Sequence, residues 1–90
     1  MNTPPQEDIR HVVEEFLVTR FPTAHGVPAI RRRVATELDF AITTEDVVTA
    51  LEFLRGFGKA QFVHDDLGAT QYWSATAAGV RDFERRQKGG

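Results

Sequence analysis

The chain has 90 residues, 41% of them hydrophobic and 27% charged, with a formal net charge of −2. That size and balance predict one soluble globular domain, 1–90, with a single small core and little room for a deep substrate cavity. Cysteine is absent, which excludes a disulfide framework, a thiolate nucleophile and a Cys-based zinc site, and no apolar run approaches the ~20 residues that span a bilayer.

Met1 to Gln6 lacks the basic start and apolar stretch of a signal peptide, so a cytoplasmic location is expected. Thr3 is placed to cap a first helix, Pro4 suits its first position, and Gln6 completes a capping box with Thr3. Glu7 and Asp8 put negative charge at the positive end of the helix dipole. Ile9, Val12, Val13, Phe16 and Leu17 follow the spacing of one helical face. This helix is predicted from about Pro4 to Arg20, with Pro22 ending it. Thr23 to Val27 is a connector punctuated by Gly26 and Pro28. A second helix is predicted from Pro28 to Leu38 or Asp39, with Ile30, Val34 and Leu38 inward and Arg31, Arg32 and Arg33 outward.

Phe40 and Ile42 are expected to tuck inward from a turn. Thr43 then caps a third helix and Asp46 closes a box of the capping type. Val47, Leu51 and Leu54 form its core stripe, Val48 and Ala50 its shoulders. Gly56 and Gly58 stop it, and Phe57 between them is expected to fold back on the last turn. Beyond Gly58 the period changes from 3.6 to 2. Ala60 to His64 and Thr70 to Ala75 read as strands joined by a turn at Asp65 to Ala69, which makes a hairpin. Thr76 caps a last helix whose inner side carries Val80 and Phe83, and Gly79 permits a close approach to a neighbour. The segments 1–3 and 87–90 are expected to be flexible tails, and Arg85 onward to trail into solvent.

The order of helix, short extended piece, helix, turn, helix, hairpin and helix resembles a winged helix-turn-helix domain over roughly Ile9 to Arg85. The likeness is carried by the leucine-spaced third helix ending at Gly58, and by a second strand, Tyr72 to Ala75, that runs into Thr76 and Gly79. The chain also resembles, more narrowly, small winged-helix proteins of phages and prophages. The resemblance implies a mainly helical fold with a small antiparallel hairpin wing, and a DNA-binding protein of transcription-regulator type. It places the third helix in the major groove and the wing on the adjacent backbone. Carried over by position, the outward residues of that helix are Thr44, Glu45, Thr49, Glu52, Phe53 and Arg55.

The chemistry of that face pulls two ways. Phosphate contact needs Lys or Arg, and Arg31, Arg32, Arg33, Thr44, Thr49, Arg55 and Lys59 are the candidate nucleic-acid contacts. Glu45, Asp46, Asp65 and Asp66 would repel a polyanion. The alternative is a protein–protein interaction module on the same scaffold, with an acidic face that does not bind DNA. Phe53, Tyr72 and Trp73 are its candidate contacts, since adjacent strand residues point to opposite faces and one of the last two should be exposed. A homodimer through the first or last helix is compatible with either reading. His11, His25 and His64 lie on three elements without metal-ligand spacing. Ser74, the only serine, lacks a nucleophile motif. The sequence therefore predicts no enzyme, no cofactor, no metal and no small-molecule substrate.

Overall fold

Burial of apolar stripes brings three helices and a short sheet onto one core. The structure, a computed structural model, describes residues 6–64 and 71–89. In chain order the elements are α1 (Gln6–Thr19), β1 (His25–Gly26), α2 (Val27–Leu38), α3 (Thr44–Gly56), β2 (Ala60–His64), β3 (Gln71–Ala75) and α4 (Ala77–Gly89). The proposed Thr3 cap with Pro4, and the Asp65 to Ala69 turn, lie outside the described residues.

Each helix buries the stripe its spacing predicts. Ile9, Val13 and Leu17 of α1, Ile30 and Val34 of α2, and Val47, Ala50, Leu51 and Leu54 of α3 are buried together. Ile42 joins them from the α2–α3 turn, and Phe40 packs at the margin. That turn is made possible by Asp39, whose φ of 55° puts it in the left-handed region while its N–H donates to the Ala35 carbonyl. Aspartate tolerates this region better than most side chains do. The predicted box at the start of α3 is present. The Asp46 N–H donates to Thr43 Oγ1 at 3.0 Å, and the Thr43 N–H donates to Asp46 Oδ2 at 3.1 Å.

The sheet is antiparallel with strand order β1-β3-β2. The connector read from the sequence thus contributes a third strand. His25 and Gly26 pair with Trp73 and Tyr72 and cover an edge of β3 whose backbone groups would otherwise need other partners. Alternation along β3 sends Trp73 into the core at 1% exposure, against Phe62 with ring centroids 5.4 Å apart, and leaves Tyr72 half-buried. Trp73 is therefore a core residue. It is withdrawn from the candidate partner surface, because a residue this buried cannot touch a partner.

Thr76 holds the hairpin to the helices at both ends. Its hydroxyl donates to the Gly58 carbonyl at 2.6 Å and accepts from the Gly79 N–H at 2.9 Å, and its own N–H donates to the Lys59 carbonyl at 3.2 Å. Gly79 then lies so close to the start of β2 that a Cβ there would sit 2.6 Å from the Lys59 carbonyl oxygen. Beyond it, α4 inserts Phe83 and continues to Gly89.

This contact makes a direct test. Gly79→Ala is expected to destabilise by about 1–3 kcal/mol, the usual cost of overpacking a backbone contact. Gly56→Ala, where a Cβ meets nothing within 4 Å, is expected to leave stability unchanged or raise it, since alanine favours a helix. Urea melts of the two variants check the pair; equal effects would contradict the close approach.

Candidate nucleic-acid interface

The buried stripe of α3 leaves Thr44, Glu45, Thr49, Glu52, Phe53 and Arg55 on its outer side, all exposed. Of the two acids in its first turn, Asp46 is engaged in the capping box and only Glu45 is exposed without that role. Of the α2 arginines, Arg31 is the one held close to this helix start, and Arg33 lies on the side of α2 that meets α1. Arg31, half-buried, donates from Nη1 to the Ile42 carbonyl at 3.3 Å, which fixes it on the α2–α3 turn. Arg32 is exposed and has no carboxylate partner among the described residues. Arg33 pairs with Glu37 at 3.3 Å, and Arg55 with Glu52 at 3.3 Å. All four side chains in those pairs are about half exposed. Such pairs contribute roughly 0–1 kcal/mol, so an incoming phosphate can displace either carboxylate at little cost.

Lys59 does not belong with this group. It is held at 3.2 Å by Asp82 of α4, at the base of the hairpin. There it joins an ionic cluster that periodicity does not reveal. Arg86 donates to the buried Glu14 of α1 and, at 2.9 Å, to Asp82, which also accepts from Arg85 at 3.0 Å. Arg86, expected in a solvated tail, therefore ties α4 to α1. Glu14 lies about 130° from the centre of its helix stripe at ~100° per residue, on the side that reads as solvent. It is buried because α4 covers it. The Lys59 ammonium, followed by the Arg85 and Arg86 guanidiniums, holds the Asp82 carboxyl below its ordinary value against the opposing effect of burial.

The aromatic candidates separate. Phe53 is 43% exposed and lies under the Arg10 guanidinium, 4.0 Å from its ring centroid. Phe57 does fold against the last turn of α3, 5.0 Å from Phe53, yet remains 66% exposed. His11 stacks on Phe83 and His25 meets Phe16 edge-on. Among the described residues no three His, Asp or Glu side chains are grouped to hold a metal, and no helix is long and apolar enough to cross a membrane.

No protein-family model matches the chain, and no curated protein matches it in sequence. Solved structures do match in three dimensions. A protein of Ralstonia eutropha JMP134 with a provisional DNA-binding assignment superposes with TM-score 0.62 at 16% identity, over 94% of this chain and 96% of that one. Two structures of Lactococcus lactis ZitR variants superpose with TM-scores of 0.59 and 0.62 at 17% and 14% identity, over 92% and 97% of this chain and 59% and 53% of ZitR. The fold is a winged helix-turn-helix. The chain spans little more than half of ZitR, a winged-helix MarR-like regulator. In these terms α2 and α3 are the helix-turn-helix, and β2 and β3 are the strands of the wing.

The ionic cluster has two measurable consequences. Arg86→Ala leaves the Glu14 carboxylate buried without its cation. It is expected to cost about 1–3 kcal/mol, less than the ~3–5 of a fully buried pair because Arg86 is 46% exposed. A carboxylate whose folded pKa is lowered contributes stability that is complete above its unfolded pKa and is lost as pH falls through the folded one. Asp82→Asn is therefore expected to lower stability at neutral pH and to flatten the acid limb of a plot of Tm against pH. An acid limb parallel to that of the parent chain would contradict the cluster.

Proposed function

We propose that the chain is a DNA-binding protein of transcription-regulator type that engages duplex DNA through α2, α3 and the wing. The observation that carries this reading is the anchoring of Arg31 on the Ile42 carbonyl. It holds Arg31 beside the turn that leads into α3, while the outer side of α3 stays open. Arg32 and Arg33 contact phosphate, with Arg33 exchanging Glu37 for it. Arg31 orients the run. Thr44 and Thr49 offer hydroxyls to base edges or phosphate from the exposed side of α3. Arg55, at the other end of α3, exchanges Glu52 for a phosphate or a guanine edge. The fold supports this reading through its winged-helix neighbours, one of which carries a provisional DNA-binding assignment.

The electrostatics set the scale. With a net charge of −2, the whole molecule does not attract DNA, and affinity must come from this local cluster. Three phosphates neutralised by arginine correspond to a slope of about −2.7 in log K against log salt, or about 40-fold weaker binding between ~50 and ~200 mM salt. Fluorescence anisotropy of a labelled random duplex, titrated at both salts, is expected to show this dependence. Arg32→Ala is expected to weaken binding and reduce the slope by about 1, while Lys59→Ala is expected to leave the slope unchanged. Absence of binding at the lower salt would overturn the proposal.

A further inference from the structure

We propose that Glu45 reads a cytosine on the floor of the major groove and so sets the sequence preference of the interface. This rests on the DNA-binding reading above and names the duplex selected, one with a C·G pair opposite the start of α3. The buried stripe of α3 is Val47, Ala50, Leu51 and Leu54. At ~100° per residue, Glu45 and Thr49 lie about 170° and 150° from its centre, on the line of the helix that projects furthest from the core. Both are exposed. The other acids on this side of α3 are engaged, Asp46 in the capping box and Glu52 with Arg55 at 3.3 Å. Glu45 has no hydrogen-bond or ion-pair partner among the described residues. A carboxylate in the first turn gains a little from the helix dipole, but this one stands where a polyanion has to approach.

The distribution of charge decides between repulsion and readout. Phosphates line the walls of a groove, and base edges form its floor. The cations lie off the projecting line of α3. Arg55 is about 90° round from the stripe centre, and Arg31 is held on the α2–α3 turn. The unpartnered carboxylate lies on that line. A carboxylate only accepts hydrogen bonds, so its complement is a base that presents a donor without a neighbouring acceptor. Cytosine presents its N4 amine alone. Adenine sets the N7 acceptor beside its N6 amine, and guanine and thymine offer acceptors there. Glu45 therefore favours cytosine and disfavours the other bases, where the carboxylate loses water without gaining a partner.

Selection of duplexes from a randomised pool by the full chain at ~50 mM salt, followed by sequencing, tests this. The parent chain is expected to enrich sites with a C·G pair at one fixed position. Replacing that pair is expected to weaken binding about 5- to 100-fold, the range for one base contact. Glu45→Gln is expected to move the preference at that position alone to A·T, since glutamine reads adenine. Glu52→Gln removes the same charge about two turns away and is expected to alter affinity for all sequences alike. Both variants keep the Thr43–Asp46 box, and unchanged thermal melts check that they fold. A parent chain that binds duplexes with no C·G preference overturns the inference and leaves the DNA-binding reading in place. So does a Glu45→Gln variant that keeps the parental preference or shifts affinity uniformly, or a Glu52→Gln variant that changes the same position. No binding to any duplex overturns the DNA-binding reading itself, and this inference with it.

Discussion

The Thr76 side chain joins the two halves of this chain. One hydroxyl donates to the carbonyl that ends the α3 turn and accepts from the N–H that begins α4, so the hairpin leaves and returns at one point. Gly79 lets α4 pack directly on the Lys59 backbone at that point. The hairpin is therefore set relative to α3 by backbone contact and the three hydrogen bonds of Thr76, with no long side chain between them.

From that junction the ionic cluster spreads across the surface. Lys59 follows Gly58, Asp82 lies on the second turn of α4, and Arg86 reaches Glu14 of α1. Packing of α4 on the core relies on few apolar side chains, chiefly Phe83 with Val80 at the margin. Beyond the Gly79 contact, its attachment is charge against charge, with Lys59 on Asp82 and Arg86 bridging Asp82 to the buried Glu14. The same cluster consumes several of the basic residues that a composition count would assign to a polyanion. The arginines of α2 and the weakly held Arg55 are outside that cluster.

Much of the core was legible because periodicity and burial are the same fact in an amphipathic helix. The stripes of α1, α2 and α3, the Thr43–Asp46 box, the two strands and the Thr76 cap follow from spacing and local hydrogen bonding. The candidate site was less legible. Arg31, Arg32 and Arg33 are adjacent in sequence, yet one binds a carbonyl, one pairs with Glu37 and one is exposed. Lys59 lies beside α3 in sequence but faces α4 in space. Between Tyr72 and Trp73, alternation says only that they part; the helices decide which is buried.

The sequence by itself determined where α3 and α4 begin and which faces of α1, α2 and α3 turn inward, because capping and periodicity act within a few residues. Only the tertiary structure decided that His25 and Gly26 close a sheet edge, that Glu14 is buried beneath α4, and that Phe57 stays in solvent while Trp73 does not. These outcomes depend on which element covers which, and pairing between residues as far apart as Glu14 and Arg86 leaves no periodic trace in either segment.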